Sequence, residues 1–165
     1  MTHHPGFRLL AACAIALALG SCDTAPSGDS GAFKSRYFAA RTALEDGSYG
    51  RATRLYGKLM TEAGPLENRL RLEYAHALLR QGELARAAAE AQTLAAATQG
   101  AERAAALAVQ GTAQHELARG GGTGASGLLR AAGAVIGTVL DTHPELDPLG
   151  ALAMRRDEIA AALGG

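Results

Sequence analysis

From residue 45 onward the apolar residues of this chain recur at helical spacing. Ala52, Leu55, Tyr56, Leu59 and Met60 follow the i, i+3, i+4, i+7, i+8 pattern, which gathers them into one stripe along a helix. The stretch EDGSYGRATRLYGKLMTEAGP (45–65) overlays RQGELARAAAEAQTLAAATQG (80–100). Gly47 falls on Gly82, Tyr49 on Leu84, Ala52 on Ala87, Tyr56 on Ala91 and Leu59 on Leu94, every offset being 35 residues. Ala40 and Ala75 each stand 12 residues ahead of Ala52 and Ala87. Two helices about 8–9 Å apart leave no room for a branched side chain at their crossing. Each unit therefore reads as a helix pair that meets through alanine.

A third unit is split. ERAAALAVQGTAQHELARG reads as its first helix, with Gly111 at the small position, and GLLRAAGAVIGTVLDTHP as its second, with Ala132 at the close contact, Ile136 and Val139 on the apolar stripe and Pro144 at the stop. Ala132 follows Gly111 by 21 residues rather than 12, so about nine extra residues separate these helices. They include the glycine run Gly120–Gly127. Within it, Gly122, Gly124 and Gly127 make a Gly-x-Gly-x-x-Gly, which can cradle a dinucleotide when a strand precedes it and an acid follows about 20 residues on. The preceding segment here is alanine-rich with helical spacing, and Asp141 falls at a helix end. The run is expected to be an insertion loop. After Pro148, a last helix is expected over 149–163, with Leu152, Ile159 and Leu163 turned inward to cap the array.

The 35-residue offset lies close to the tetratricopeptide period of about 34 residues. The matched positions resemble that family's Gly-x-Tyr-x-x-Ala-x-x-x-Phe-x-x-Ala signature. The resemblance covers 36–144, strongly over two copies and loosely over the third. It implies an all-α fold: a TPR-like α-α solenoid of about three helix pairs (33–65, 66–100 and a split 101–144) plus a C-terminal capping helix (148–163), within a helical domain of 33–165. The large aromatic the family carries early in its first helix is replaced by Arg36 and Arg71. Beyond residue 21 all aromatics lie between Phe33 and Tyr74, so the later half, packed from Ala, Leu and Val, is expected to be looser.

The front of the chain has a different character. MTHHPGFRLLAACAIALALGSC carries one cation, Arg8, no acid, and eleven apolar residues from Leu9 to Leu19. At roughly 1.5 Å per residue this run is too short to cross a hydrocarbon core of about 30 Å, and it suits a secretory leader. Leu19-Gly20-Ser21-Cys22 resembles the lipobox of bacterial lipoproteins. Cys13 ends a similar tetrad but has too little apolar sequence before it. The resemblance implies a signal peptide over 1–21, lipidation of Cys22 and a membrane anchor without a spanning helix. The small polar residues that follow, to position 32, read as a flexible tether. The expected location is the periplasm-facing surface of a bacterial envelope, with the choice of inner or outer membrane open.

Composition narrows the function further. The chain carries 16 Lys plus Arg and 16 Asp plus Glu, which gives no reason to expect nucleic acid. No histidine has ligands at metal spacing in its own helix, and no Gly-x-Ser-x-Gly elbow occurs. No metal, cofactor or catalytic site is therefore expected; an unrecognised hydrolase would have to use His76 or His115. The tetratricopeptide resemblance instead implies a peptide-binding face on the first helix of each pair. Its matched positions are Lys34, Tyr37, Arg41 and Leu44, then Arg69, Leu72, His76, Leu79 and Arg80, with Ala108, Thr112 and His115 in the third copy. Residues 34–71 hold eight cations and four acids, whereas 141–158 hold two cations and five acids. The face suits an acid-bearing protein or peptide partner. The function expected is a membrane-anchored scaffold for assembly of an envelope machine. The alternative is a self-associating structural array whose basic front meets the acidic end of another copy.

Overall fold

The computed structural model describes residues 27–164, with side chains from residue 30. The expected leader, Cys22 and the first part of the tether lie outside the described residues. Seven α-helices follow in order: α1 (Ser27–Glu45), α2 (Tyr49–Met60), α3 (Glu67–Gln81), α4 (Leu84–Ala97), α5 (Gly100–Arg119), α6 (Ala125–Thr142) and α7 (Ala151–Gly164). The fold is all-helical, with no strand among the described residues. Each helix packs on its successor, and α5 also touches α3 and α7. Helix α1 begins at Ser27, inside the segment expected to be tether. Once later turns are docked, extending a helix backward adds one hydrogen bond per residue without a new nucleation cost.

The first two pairs turn at matched glycines. Gly47 and Gly82 have φ of +76° and +86°, a conformation that an L side chain rarely adopts. Gly82 N–H donates to Leu79 O at 3.1 Å and Glu83 N–H to Leu78 O at 3.0 Å, closing carbonyls that α3 leaves open. The matched alanines Ala40, Ala52, Ala75 and Ala87 are all fully buried. Tyr56 and Leu59 in α2, Ala91 and Leu94 in α4, and Ile136 and Val139 in α6 are buried with them. Arg36 ties α1 to the turn that follows α2, and Arg71 ties α3 to α4. Arg36 Nη1 donates to Glu62 at 2.8 Å, and Arg71 Nη1 donates to Glu90 at 2.7 Å. An ion pair thus stands where the sequence lacks an aromatic contact.

The extra residues of the third pair are mostly helix. Helix α5 runs eight residues beyond Gly111, where α3 runs six beyond Ala75. Helix α6 starts seven residues before Ala132, where α4 starts three before Ala87. The loop itself is only Gly120–Gly124, and Gly127 lies inside α6. Ala, Leu and Arg at the helix ends favour extension, and the turn is left to glycines with positive φ at 121, 122 and 124.

At the C-terminal end, Asp147 accepts hydrogen bonds from the backbone N–H of Leu152 and Ala153, both at 2.9 Å, and so seats the start of α7. Leu152 and Ile159 are buried as expected. Leu163 is not: it is 40 % exposed, in the last turn of α7, beyond the reach of the core. The helix also starts two residues later than expected, leaving Leu149 in the turn before it.

The crossing of the third pair leaves no room even for a Cβ at Gly111. A Cβ on Gly111 would lie 2.6 Å from Ile136 Cγ1 and 2.9 Å from Val135 Cγ2, well inside contact distance. Gly137, one residue past Ile136, has nothing within 4 Å of a Cβ position. Gly111→Ala should destabilise by up to about 2 kcal/mol, overpacking of roughly 1–3 less a helix-propensity gain near 1. Gly137→Ala should stabilise by about 0.5–1 kcal/mol. Urea unfolding of the two variants tests whether crossing geometry or helix propensity governs this pair.

Candidate functional site

Three of the expected binding residues, Tyr37, Arg41 and Arg69, converge on a single carboxylate outside the expected set. Glu73 lies on α3 one turn after Arg69, and its side chain is only 13 % exposed. Tyr37 Oη on α1 donates to its Oε1 at 2.8 Å, and Tyr56 Oη on α2 donates to its Oε2 at 2.6 Å. Arg69 Nε reaches Oε1 at 3.3 Å, and Arg41 Nη1 stands 3.6 Å from the same oxygen. Arg41 also donates to Glu45 at 2.9 Å. The i, i+4 spacing of Arg69 and Glu73 was the available signal; the tyrosines come from two other helices.

The electrostatic effects follow from this geometry. Burial, then the hydrogen bond to Glu73, pushes the Tyr56 hydroxyl well above the ordinary tyrosine range. The Glu45 hydrogen bond and the charge of Glu73 hold Arg41 firmly protonated. Two of the expected groove cations are therefore already facing an internal acid, which lowers the net positive charge the face offers a partner.

The other expected residues divide by surroundings. Lys34, Tyr37 and Arg69, together with Phe33, Leu66 and Leu70, line a mostly apolar cleft of about 280 Å³ at the start of α1 and α3. Lys34 Nζ sits 5.9 Å from the centre of the Phe38 ring. Leu44 and Leu79 pack partly buried against the first core cluster, while Leu72 and Ala108 pack against the second. His76 is exposed, and Thr112 is half-buried. Arg80 turns away to the α1–α2 corner, where its Nη2 donates to Tyr49 Oη at 2.7 Å and its guanidinium lies 5.2 Å from that ring's centre.

His115 does not join the face. It is 2 % exposed, beneath α7, where Arg155 Nη1 donates to its Nδ1 at 3.1 Å and also to Glu116 at 2.6 Å. His115 Nε2 stands 3.8 Å from Glu158. Burial, then the Arg155 charge, lowers the His115 pKa. His76 is lowered as well, by desolvation and then by Arg80. No group of three or more His, Cys, Asp or Glu among the described residues could hold a metal ion. No described helix is long and apolar enough to cross a membrane.

Two outcomes follow. Glu73→Ala leaves the buried Tyr56 hydroxyl without an acceptor and should cost about 2–3 kcal/mol, whereas Tyr56→Phe, which removes donor and demand together, should cost about 1; chemical denaturation measures both. Because the folded pKa values of His115 and His76 lie below the ordinary 6.5, the unfolded chain takes up protons first as the pH falls. The histidine contribution to stability, full above about pH 6.5, is lost as pH falls through the folded values. The Tm should drop by a few degrees between about pH 7.5 and 5, and less in His115→Gln.

Comparisons of the chain with protein-family models, with curated proteins and with solved structures found no match.

Proposed function

We propose that this chain is a tetratricopeptide-like solenoid lipoprotein, and that its work is binding. About three helix pairs and a capping helix form the body, and lipid on Cys22 holds it to the periplasm-facing surface of a bacterial envelope membrane. There it holds one protein partner during assembly of an envelope machine such as a pilus, a secretion system or an outer-membrane assembly complex. The observation that carries the reading is the 35-residue repeat: its matched alanines are fully buried, and its matched glycines take the same positive φ. The lipobox-like tetrad before Cys22 supports the anchor. The cleft between α1 and α3 supports the partner site, with aliphatic and aromatic walls and with Lys34 and Arg69 at its edge. An aliphatic anchor followed by a carboxylate is the peptide chemistry that fits it.

The test is in-cell crosslinking of the lipidated protein, followed by mass spectrometry of the adducts. Lys34→Glu is the informative variant, because Lys34 lines the cleft and does not hold Glu73. One dominant foreign partner, lost in this variant, is the expected result. Foreign adducts that are equally abundant in both samples would overturn the assignment of the face, and Cys22→Ser should release the protein from the membrane fraction.

A further inference from the structure

Large exposed apolar side chains collect at the two ends of this molecule. Phe38 and Leu66 stand at the first pair; Leu146, Leu149, Met154 and Leu163 stand at the last two elements. Among the described residues between 67 and 145 there is none. Leu149 is the extreme case, 91 % exposed in the short turn between Asp147 and α7. That turn is held in shape by the Asp147 carboxylate on the first N–H groups of α7, so the leucine is presented on a fixed corner. A rigid, bare leucine of this kind is an anchor in search of a pocket.

The opposite end has the pocket. The cleft of about 280 Å³ lined by Phe33, Lys34, Tyr37, Leu66, Arg69 and Leu70 is mostly apolar. An apolar cavity near 150 Å³ already takes a benzene molecule, so this one has room for a leucine side chain. The charges match as well. Among the described residues no carboxylate pairs with Lys34 at the cleft, and no cation pairs with Asp141, at the end of α6 that leads into the tip. Glu145, on the same approach, pairs with His143. The surrounding segments carry the same signs, cationic over 34–71 and acidic over 141–158.

We propose that copies of this chain associate head to tail, the Leu149 corner of one seated in the α1–α3 cleft of the next. The contact joins two different surfaces, so each added copy leaves a free cleft at one end and a free corner at the other. Such an array can grow along a membrane without any further interface. It also places self-association and partner binding in competition for one cleft. Added salt weakens the contact, since Lys34, Arg69, Asp141 and Glu145 remain near solvent.

The test uses the full chain in cells as two co-expressed copies with different epitope tags. One copy carries a photo-crosslinking benzoylphenylalanine at Leu146, beside the intact Leu149. The expected result is an adduct joining the two tags, with its crosslink mapped to residues 33–70 of the other copy. Leu149→Asp on the crosslinking copy should lower the adduct at least about tenfold; the side chain is so exposed that folding is not at stake. Lys34→Glu on the receiving copy, which leaves the Arg69–Glu73 contact in place, should also lower it at least about tenfold, and Asp141→Lys with Glu145→Lys on the crosslinking copy should then restore it. No adduct between tags, an adduct mapped outside 33–70, adducts to other proteins alone, or an adduct indifferent to Leu149→Asp would each overturn the proposal. Leu149→Asp leaves the cleft itself intact. A variant that loses the self-adduct yet keeps a foreign partner therefore separates this inference from the scaffold reading, and so does the reverse.

Discussion

Helices can pack at the short end of their usual separation only where neither carries a side chain that fills the gap. Everything else in this molecule depends on that constraint. Ala40, Ala52, Ala75 and Ala87 are buried to zero exposure in the first two pairs. In the third, even alanine is too large, and Gly111 lies against Val135 and Ile136 with no space for a Cβ. These contacts bring the larger stripe residues, Tyr56, Leu59, Leu94, Ile136 and Val139, into the core. The body is thus built from small residues at the crossings and a modest number of large ones between them.

The two halves solve the remaining packing problem differently. In the first, polar chemistry is drawn inward around Glu73, whose oxygens take hydrogen bonds from Tyr37 and Tyr56 and face Arg69 and Arg41. One carboxylate links α1, α2 and α3, and it also sets how much charge the candidate face shows. In the second, the apolar cluster is aliphatic, from Leu94 through Ile136 to Ile159, with Thr98, Gln110 and His115 buried beside it. Orientation there comes from Arg155, which joins buried His115 and Glu116, and from Asp147 at the head of α7. A partly buried carboxylate with several donors fixes geometry well, because losing any one partner leaves a costly unmet group.

The exposed surface follows from the same division. The middle of the chain covers its large apolar groups, while both ends leave some bare and carry opposite charge. A binding reading is consistent with this pattern, whether the occupant of the α1–α3 cleft is a foreign peptide or the corner of another copy. The two readings share Lys34 and Arg69 but differ at Leu149, a residue with no part in the fold.

What the sequence determined by itself was periodic and local. The 35-residue offset, the stripe beginning at Ala52, the alanines at the crossings and the glycines at the turns all report short-range geometry, and the helix pairs follow from them. The lengths of α5 and α6 were not legible, because a glycine run reads as slack whether or not the helices beside it extend. Leu163 has the same spacing as Ile159 and Leu152 in its helix, yet it lies past the end of the cover. The role of Glu73 and the burial of His115 were decided only by tertiary structure. Each depends on side chains from other helices, and where contacts cross between helices, no single-helix periodicity records which residues meet.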